Sequence, residues 1–306
     1  MSTDATALPP IAVWQEQRRQ LTALAYRMLG SWSDAEDAVA EVGAQLAALD
    51  AHAADVVQSW PAMLRTMTTR RAVDQLRSAT RRRVEYPGEW LPEPIDTALL
   101  PDEEAEEREL LELGVLHLME VLSPEARAAY VLRHALQLPY AEIAQILELT
   151  TASARQLVSR AQRKIGEPPT RRADTESQRR YAYQLLEAIA SGEVARVAAL
   201  LHDEVSLHSD GGGHLSAARR PILGAEKVAR FLIGTSAKHP DRTVFELALN
   251  GGFALLFEAP QRQDVVFFAQ VHDGGQRVLI VCNPEKLGHL PTHRQVTVIQ
   301  AGAEHG

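Results

Sequence analysis

The spacing of apolar residues changes character along the chain. From about Val13 to Arg83 it is helical throughout, as in Leu21, Leu24, Ala25, Met28 and Leu29. Gly30 ends the first helix. Ser33 followed by Glu36 fits a capping box, in which each side chain satisfies a free backbone N–H, and opens a helix to about Leu49. A third helix begins near Ser59 and Pro61 and, with no Gly or Pro inside it, continues to about Arg82. Between Tyr86 and about Asp102 the pattern stops, because Pro87, Gly88, Pro92, Pro94 and Pro101 break any helix. Helices resume near Glu103. Ser123 then supplies an N-cap with Pro124 at the first helical position. Two short helices follow, about Tyr140 to Leu147 and Ala152 to Lys164, before a second break at Gly166 to Pro169.

The remainder has a different style. Gln178 to Ala190 and Val194 to Leu201 read as helices separated by Gly192. Phe245 to Leu249, Phe253 to Phe257, Val265 to Val271 and Val278 to Cys282 are short, β-branched or aromatic, with Asn250-Gly251-Gly252 and Asp273-Gly274 as hairpin signals. The expected architecture is multidomain: two all-α domains, at 11–85 and 110–168, joined by a linker at 86–109 and followed by an α+β domain at 176–300. A chain of 306 residues is also too long for one ordinary core.

Composition excludes some classes. The apolar share of 45% and charged share of 24% suit a folded soluble protein, and no run of about 18 apolar residues is present. The start of the chain has no secretory signal, and the single Cys282 cannot form an internal disulfide, so a cytoplasmic protein without a membrane role is expected. The net charge of -8 argues at first against nucleic acid, but the average conceals segregation. Arg65 to Arg83 holds seven arginines against Asp74, while Glu89 to Glu109 holds nine acids against Arg108. Local fields of opposite sign follow.

The helices at 140–147 and 152–164 have the length and spacing of a helix-turn-helix, whose second helix enters the major groove. Ser153, Arg155 and Gln156 stand at its N-terminal end, where side chains meet base edges; Ser159, Arg160, Arg163 and Lys164 follow and suit phosphates. A helical hairpin with a solvated basic face fits the periodicity equally well. Arg70, Arg77 and Arg81 lie near one another at helical spacing and could follow a DNA backbone.

These residues carry a family resemblance. A-Y-R-M-L-G-S at 25–31 and D-A-E-D-A-V at 34–39 resemble region 2 of extracytoplasmic-function sigma factors. L-S-P-E-A-R-A-A-Y-V-L-R at 122–133, L-P-Y-A-E-I-A-Q-I-L at 138–147 and A-R-Q-L-V-S-R-A at 154–161 resemble their region 4. W-L-P-E-P-I at 90–95, D-G-G-G at 210–213 and N-P-E-K-L at 283–287 are similar to motifs of a subgroup with a SnoaL-like domain fused behind region 4. The resemblance implies binding to core RNA polymerase, at the β′ clamp helices and β flap, and to promoter DNA. Asp34, Glu36, Asp37 and Glu41 would dock on the clamp helices. Arg65, Arg70, Arg77 and Arg81, with Asp74 and the loop Asp50 to Ser59, would open and read the minus-ten element. Ser153, Arg155, Gln156, Ser159, Arg160 and Arg163 would read the minus-thirty-five element. Trp90, Leu91, Pro92, Glu93, Asp210, Gly211, Asn283, Pro284 and Lys286 would pack the fused domain against the sigma core.

The chain departs from the family pattern where Ala40 and Gly43 replace the usual Gln and aromatic residue, and where Met63 replaces a usual Trp. Glycine within a helix costs about 0.5–1 kcal/mol relative to alanine. Two alternatives therefore stand beside a sigma factor: a diverged DNA-binding regulator that no longer docks on polymerase, and a SnoaL-type enzyme with a DNA-binding appendage. His202, His208, Asp210, His214 and His272 are the candidate catalytic groups for the latter, but His208 to Gly213 reads first as a strand end and loop, and no enzymatic activity is expected. The histidines form no recognisable ligand spacing, so neither a metal nor a cofactor is expected. The cone of a SnoaL-like domain leaves room for an unidentified small ligand.

Overall fold

The computed structural model describes residues 10–49, 57–101, 110–166, 175–260, 262–270, 276–291 and 297–299. In chain order the helices are α1 (Pro10–Leu29), α2 (Trp32–Ala47), α3 (Trp60–Val84), α4 (Leu113–Leu118), α5 (Pro124–His134), α6 (Tyr140–Ile146), α7 (Thr151–Ile165), α8 (Thr175–Ser191), α9 (Val194–Ala198) and α10 (Ala225–Lys238). The strands are β1 (Ser206–Asp210), β2 (Ile222–Leu223), β3 (Thr243–Leu249), β4 (Gly252–Ala259), β5 (Arg262–Gln270), β6 (Gln276–Val281) and β7 (Thr297–Ile299). The described residues fall into two compact units, one drawn from Met1–Arg81, Leu99–Glu107 and Leu122–Ala161, the other from Arg82–Ala98, Arg108–Val121 and Gln162–Gly306. The Pro-containing stretch Arg82–Ala98 and the segment Arg108–Val121 thus belong to the unit that carries the sheet.

The first unit is helical. Gly30, at φ 70°, ends α1 and its amide donates to Tyr26 O at 2.7 Å. The expected capping box at Ser33 and Glu36 is displaced: Ser31 is the N-cap, accepting from Asp34 N at 3.2 Å, because the helix begins at Trp32 so that this ring can be buried beside Tyr26. Leu24, Met28, Val39 and Val42 complete the seam between α1 and α2. Ser123 caps α5 as its sequence requires, accepting from Ala126 N at 3.3 Å. Glu148, at φ 56°, turns the chain from α6 into α7, whose Ala154 and Val158 are buried.

The second unit holds a mixed sheet in the order β2-β1-β6-β5-β4-β3-β7, with β1 parallel to β6 and the other pairs antiparallel. Period-two alternation divides its side chains between two cores. Val278 and Ile280 of β6, with Leu255 and Phe257 of β4, join the residues of α8, α9 and α10 on one face. Leu279 and Val281, with Ala254 and Leu256, lie on the other face with Leu91 and Leu113. Both faces are therefore covered, the second by α4 and by an extended segment, Tyr86–Asp96, that we call the strap. Helix α10 falls where the sequence pattern suggests no element, and Gly224 at φ 92° opens it.

Candidate functional site

Helix α2 places its acids on solvent. Glu36, Asp37, Ala40 and Glu41 are exposed, Asp34 is half-buried, and Glu41 pairs with Arg71 at 2.6 Å. Ala40 therefore removes a surface side chain and leaves the core untouched. Gly43 has a packing reason: a Cβ there would stand 2.8 Å from ring atoms of Trp14, whose indole N–H donates to Val39 O at 3.2 Å. Trp14 of α1 thus lays an aromatic ring against α2 at Gly43.

On α7 the residues read as groove contacts form an open row. Arg155, Gln156, Ser159, Arg160 and Arg163 are exposed. Ser153 Oγ lies 2.8 Å from Thr150 Oγ1, which also accepts from Ser153 N at 3.1 Å and so caps the helix. The Arg155 guanidinium stands 5.3 Å from the Tyr140 ring centroid.

The arginines of α3 are differently placed. Arg65 meets Glu142 at 2.8 Å, Arg70 meets Glu148 at 2.8 Å and donates to Ile146 O at 2.9 Å, and Arg77 meets Glu125 at 2.9 Å. Their partners belong to α5, α6 and the turn after α6, so the basic face of α3 is clasped by these segments. A groove of about 870 Å³ runs beside this clasp, lined by Met63, Thr66, Pro139 and Ile146 among others. The side chain of Arg81, the loop 50–56 and His272 lie outside the described residues.

The second unit brings together three motifs that are distant in sequence. Asp210, fully buried at the end of β1, receives four donors: Tyr86 Oη at 2.6 Å and Gly212 N at 3.0 Å on Oδ1, Leu91 N at 2.9 Å and Lys286 Nζ at 2.6 Å on Oδ2. Lys286 also donates to Leu91 O, and its ammonium lies 4.0 Å from the Trp90 ring centroid. Burial pulls the Lys286 pKa down to about 8 against the opposing pull of Asp210; burial, aided by Asp210, pushes the Tyr86 hydroxyl up. The glycines are there for proximity. A Cβ on Gly212, at φ 61°, would strike the Asn283 side chain, and one on Gly213, at φ 78°, would stand 2.7 Å from the Pro87 ring. Asn283 donates to Tyr86 Oη at 2.9 Å and caps the short 3-10 turn Pro284–Lys286. Glu285 turns instead to His214, at 3.2 Å.

Further along the strap, Glu93 pairs with His289 at 2.7 Å. Asn250 exchanges bonds with Ile95 through its side chain at 3.1 Å and its amide at 3.0 Å, and reaches Leu111 O at 2.9 Å. Asn250, Tyr86, Glu89, His117 and His289 are missing from the residues singled out by sequence; Asn250 was legible only as a turn signal. An Asp210 with all its lone pairs engaged is a structural anchor, not a poised base. Burial pushes the Cys282 thiol up to about 12, so it is no ready nucleophile.

Residues 13–82 match the family model of Sigma-70 region 2, and residues 112–165 that of Sigma-70, region 4. The chain is 34% identical over 229 residues to the ECF RNA polymerase sigma factor SigJ of Mycobacterium tuberculosis, covering 73% of this chain and 72% of that one. The chain belongs to the extracytoplasmic-function sigma factors. It is also 29% identical over 233 residues to the probable ECF RNA polymerase sigma factor SigI of the same species, covering 72% of this chain and 74% of the relative. The crystal structure of the M. tuberculosis extracytoplasmic function sigma factor SigJ superposes with a TM-score of 0.71 at 26% identity, covering 92% of this chain and 99% of that one. The helical sigma regions followed by a SnoaL-like mixed-sheet domain are the shared architecture. As a sigma factor the chain binds core RNA polymerase and promoter DNA and directs transcription initiation without catalysing a reaction. Neither the diverged-regulator nor the enzyme alternative is favoured. Among the described residues no helix is long and apolar enough to cross a membrane.

Proposed function

We propose that this sigma factor works in the cytoplasm through an open and a closed form of its helical unit, and that the SnoaL-like domain governs its activity by holding the strap. In the open form Asp34, Glu36, Asp37 and Glu41 dock on the β′ clamp helices, Arg65, Arg70, Arg77 and Arg81 engage the minus-ten element, and region 4 meets the β flap. Ser153, Arg155 and Gln156 read the minus-thirty-five element while Ser159, Arg160 and Arg163 hold phosphates. The observation that carries this reading is the clasp: Arg65, Arg70 and Arg77 are paired with acids of α5, α6 and the turn that follows α6. Those acids occupy the positions around the guanidinium groups that DNA phosphates would take, so polymerase and promoter have to displace them. A small ligand in the cone would have to compete with Leu185, Val228 and Leu232, which pack there against the sheet.

Run-off transcription with core polymerase on genomic fragments tests the reading. Discrete promoter-dependent products are expected. Arg155→Ala should cost about 1–3 kcal/mol in binding to the selected promoter with little loss on random DNA, as for a bidentate base contact. Arg160→Ala should weaken both alike. Equal losses on both DNAs for Arg155→Ala would reject base reading, and absence of any promoter-specific product would reject the proposal as a whole.

A further inference from the structure

Beneath the strap, Glu89, His117 of α4 and His208 of β1 converge, their ligand atoms lying within 4.8 Å of one another. Glu89 Oε1 is 2.6 Å from His208 Nδ1 and 3.9 Å from His117 Nε2, and the two imidazole centroids are 4.8 Å apart at 65°. Both histidine side chains are 9% exposed and that of Glu89 is 19% exposed, so the cluster is sheltered yet has a route to solvent. We propose that these residues form a binding site for a divalent transition-metal ion of the zinc class, held by two imidazoles and a carboxylate.

Three observations support this assignment. The donor set is suited to zinc, whose ligand atoms at about 2.0–2.1 Å stand roughly 3.4 Å apart in a tetrahedron. The separations of 2.6 and 3.9 Å straddle that value, and shifts of under about 1 Å in flexible side chains convert one arrangement to the other. The carboxylate is also incompletely satisfied, since Glu89 Oε2 is buried without a hydrogen-bond partner among the described residues. A buried acceptor left in that state is costly, and a cation between it and the imidazoles removes the cost. Finally, the outer nitrogen of His208 is already oriented, with Nε2 3.0 Å from Ser206 Oγ, as a ligating histidine commonly is by a polar partner.

The ligands come from the strap, from α4 and from β1, so an ion here fastens the strap to the sheet. The fourth coordination position is left to water. Imidazole ligands disfavour magnesium and calcium, which take oxygen donors.

Titration of the untagged full-length chain with zinc chloride, followed by calorimetry, and with cobalt chloride, followed by visible absorption, tests the site. One saturable ion per chain is expected, with cobalt showing the intense bands of a low-coordinate site. His117→Ala and His208→Ala should each reduce affinity by more than the roughly tenfold expected on losing an outer partner, and Ser206→Ala by about that factor. Zinc should raise the melting temperature of the unaltered chain, and Glu89→Gln, which retains the side-chain shape and keeps the fold testable, should abolish that rise. Binding that is absent, or that persists unchanged in Glu89→Gln and in the His117→Ala/His208→Ala double variant, overturns the proposal. These readouts concern the ion alone and stand whatever transcription assays show.

Discussion

The two units hold their charges in opposite ways. In the helical unit, arginines meet acids at the surface, with side-chain exposures of 28% for Arg65, 46% for Arg70 and 54% for Arg77. In the sheet-bearing unit, Asp210 is fully buried with Lys286 11% exposed, and every acceptor position of the carboxylate is filled. Exposed pairs are screened and contribute up to about 1 kcal/mol each, whereas breaking one partner of a buried pair costs about 3–5 kcal/mol. The clasp is therefore reversible and salt-sensitive, and the anchor under the strap is a lasting feature of the fold. The proposed release of the α3 arginines, with the strap kept in place, would be served by that division.

The comparison is broken most severely at the anchor. Asp210→Ala strands the Lys286 ammonium and the Tyr86, Leu91 and Gly212 donors, and should destabilise the sheet-bearing unit by about 3–5 kcal/mol in denaturant unfolding. A loss under about 1 kcal/mol would mean that water replaces the carboxylate and that the two kinds of charge differ little.

A smaller effect is expected within the helical unit at Gly43. Alanine there raises helix propensity by up to about 1 kcal/mol, but its Cβ meets the Trp14 ring, and overpacking of this kind costs about 1–3 kcal/mol. Gly43→Ala should therefore lower the thermal midpoint, and Trp14→Ala in the same chain should reverse the sign by opening the space. A higher midpoint for Gly43→Ala alone would show that Trp14 yields easily.

The smallest change in stability belongs to the clasp. Glu142→Gln and Glu148→Gln should each cost at most about 1 kcal/mol in folding. Their combination should nevertheless raise affinity for promoter DNA, measured by fluorescence anisotropy at low salt, because two guanidinium groups lose their competitors. Unchanged affinity would show that the clasp is not what separates closed from open.

Much of this was legible in the sequence because it depends on local spacing. The helix-turn-helix, the Ser123 cap, the break at the prolines and the alternation of β4 to β6 follow from periods and turn residues that neighbours in sequence supply. The arginine row of α3 was visible as charge segregation, but its partners Glu142, Glu148 and Glu125 were not, since ion pairs across helices leave no periodic trace. Gly43 looked like a lesion in α2 until Trp14 appeared beside it. The cluster beneath the strap was equally hidden: Glu89 and His208 are 119 residues apart, and a ligand set assembled from an extended segment, a helix and a strand has no spacing to read. Among the described residues, the histidines that drew notice in the C-terminal half form no such set by themselves; His208 does so with Glu89 and His117, which precede the domain.

The prolines of the strap have one more consequence. Pro92 and Pro94 carry no amide hydrogen, so the buried run from Leu91 to Ile95 presents fewer donors for the sheet to satisfy. They also restrict the unfolded segment to fewer conformations, which lessens the entropy lost when the strap docks during folding. Joined covalently to the domain that receives it, the segment behaves as a tethered ligand, at an effective concentration set by the length of chain between the two. Even a modest intrinsic affinity then keeps the strap seated on the sheet face that holds Leu247, Leu256 and Leu279.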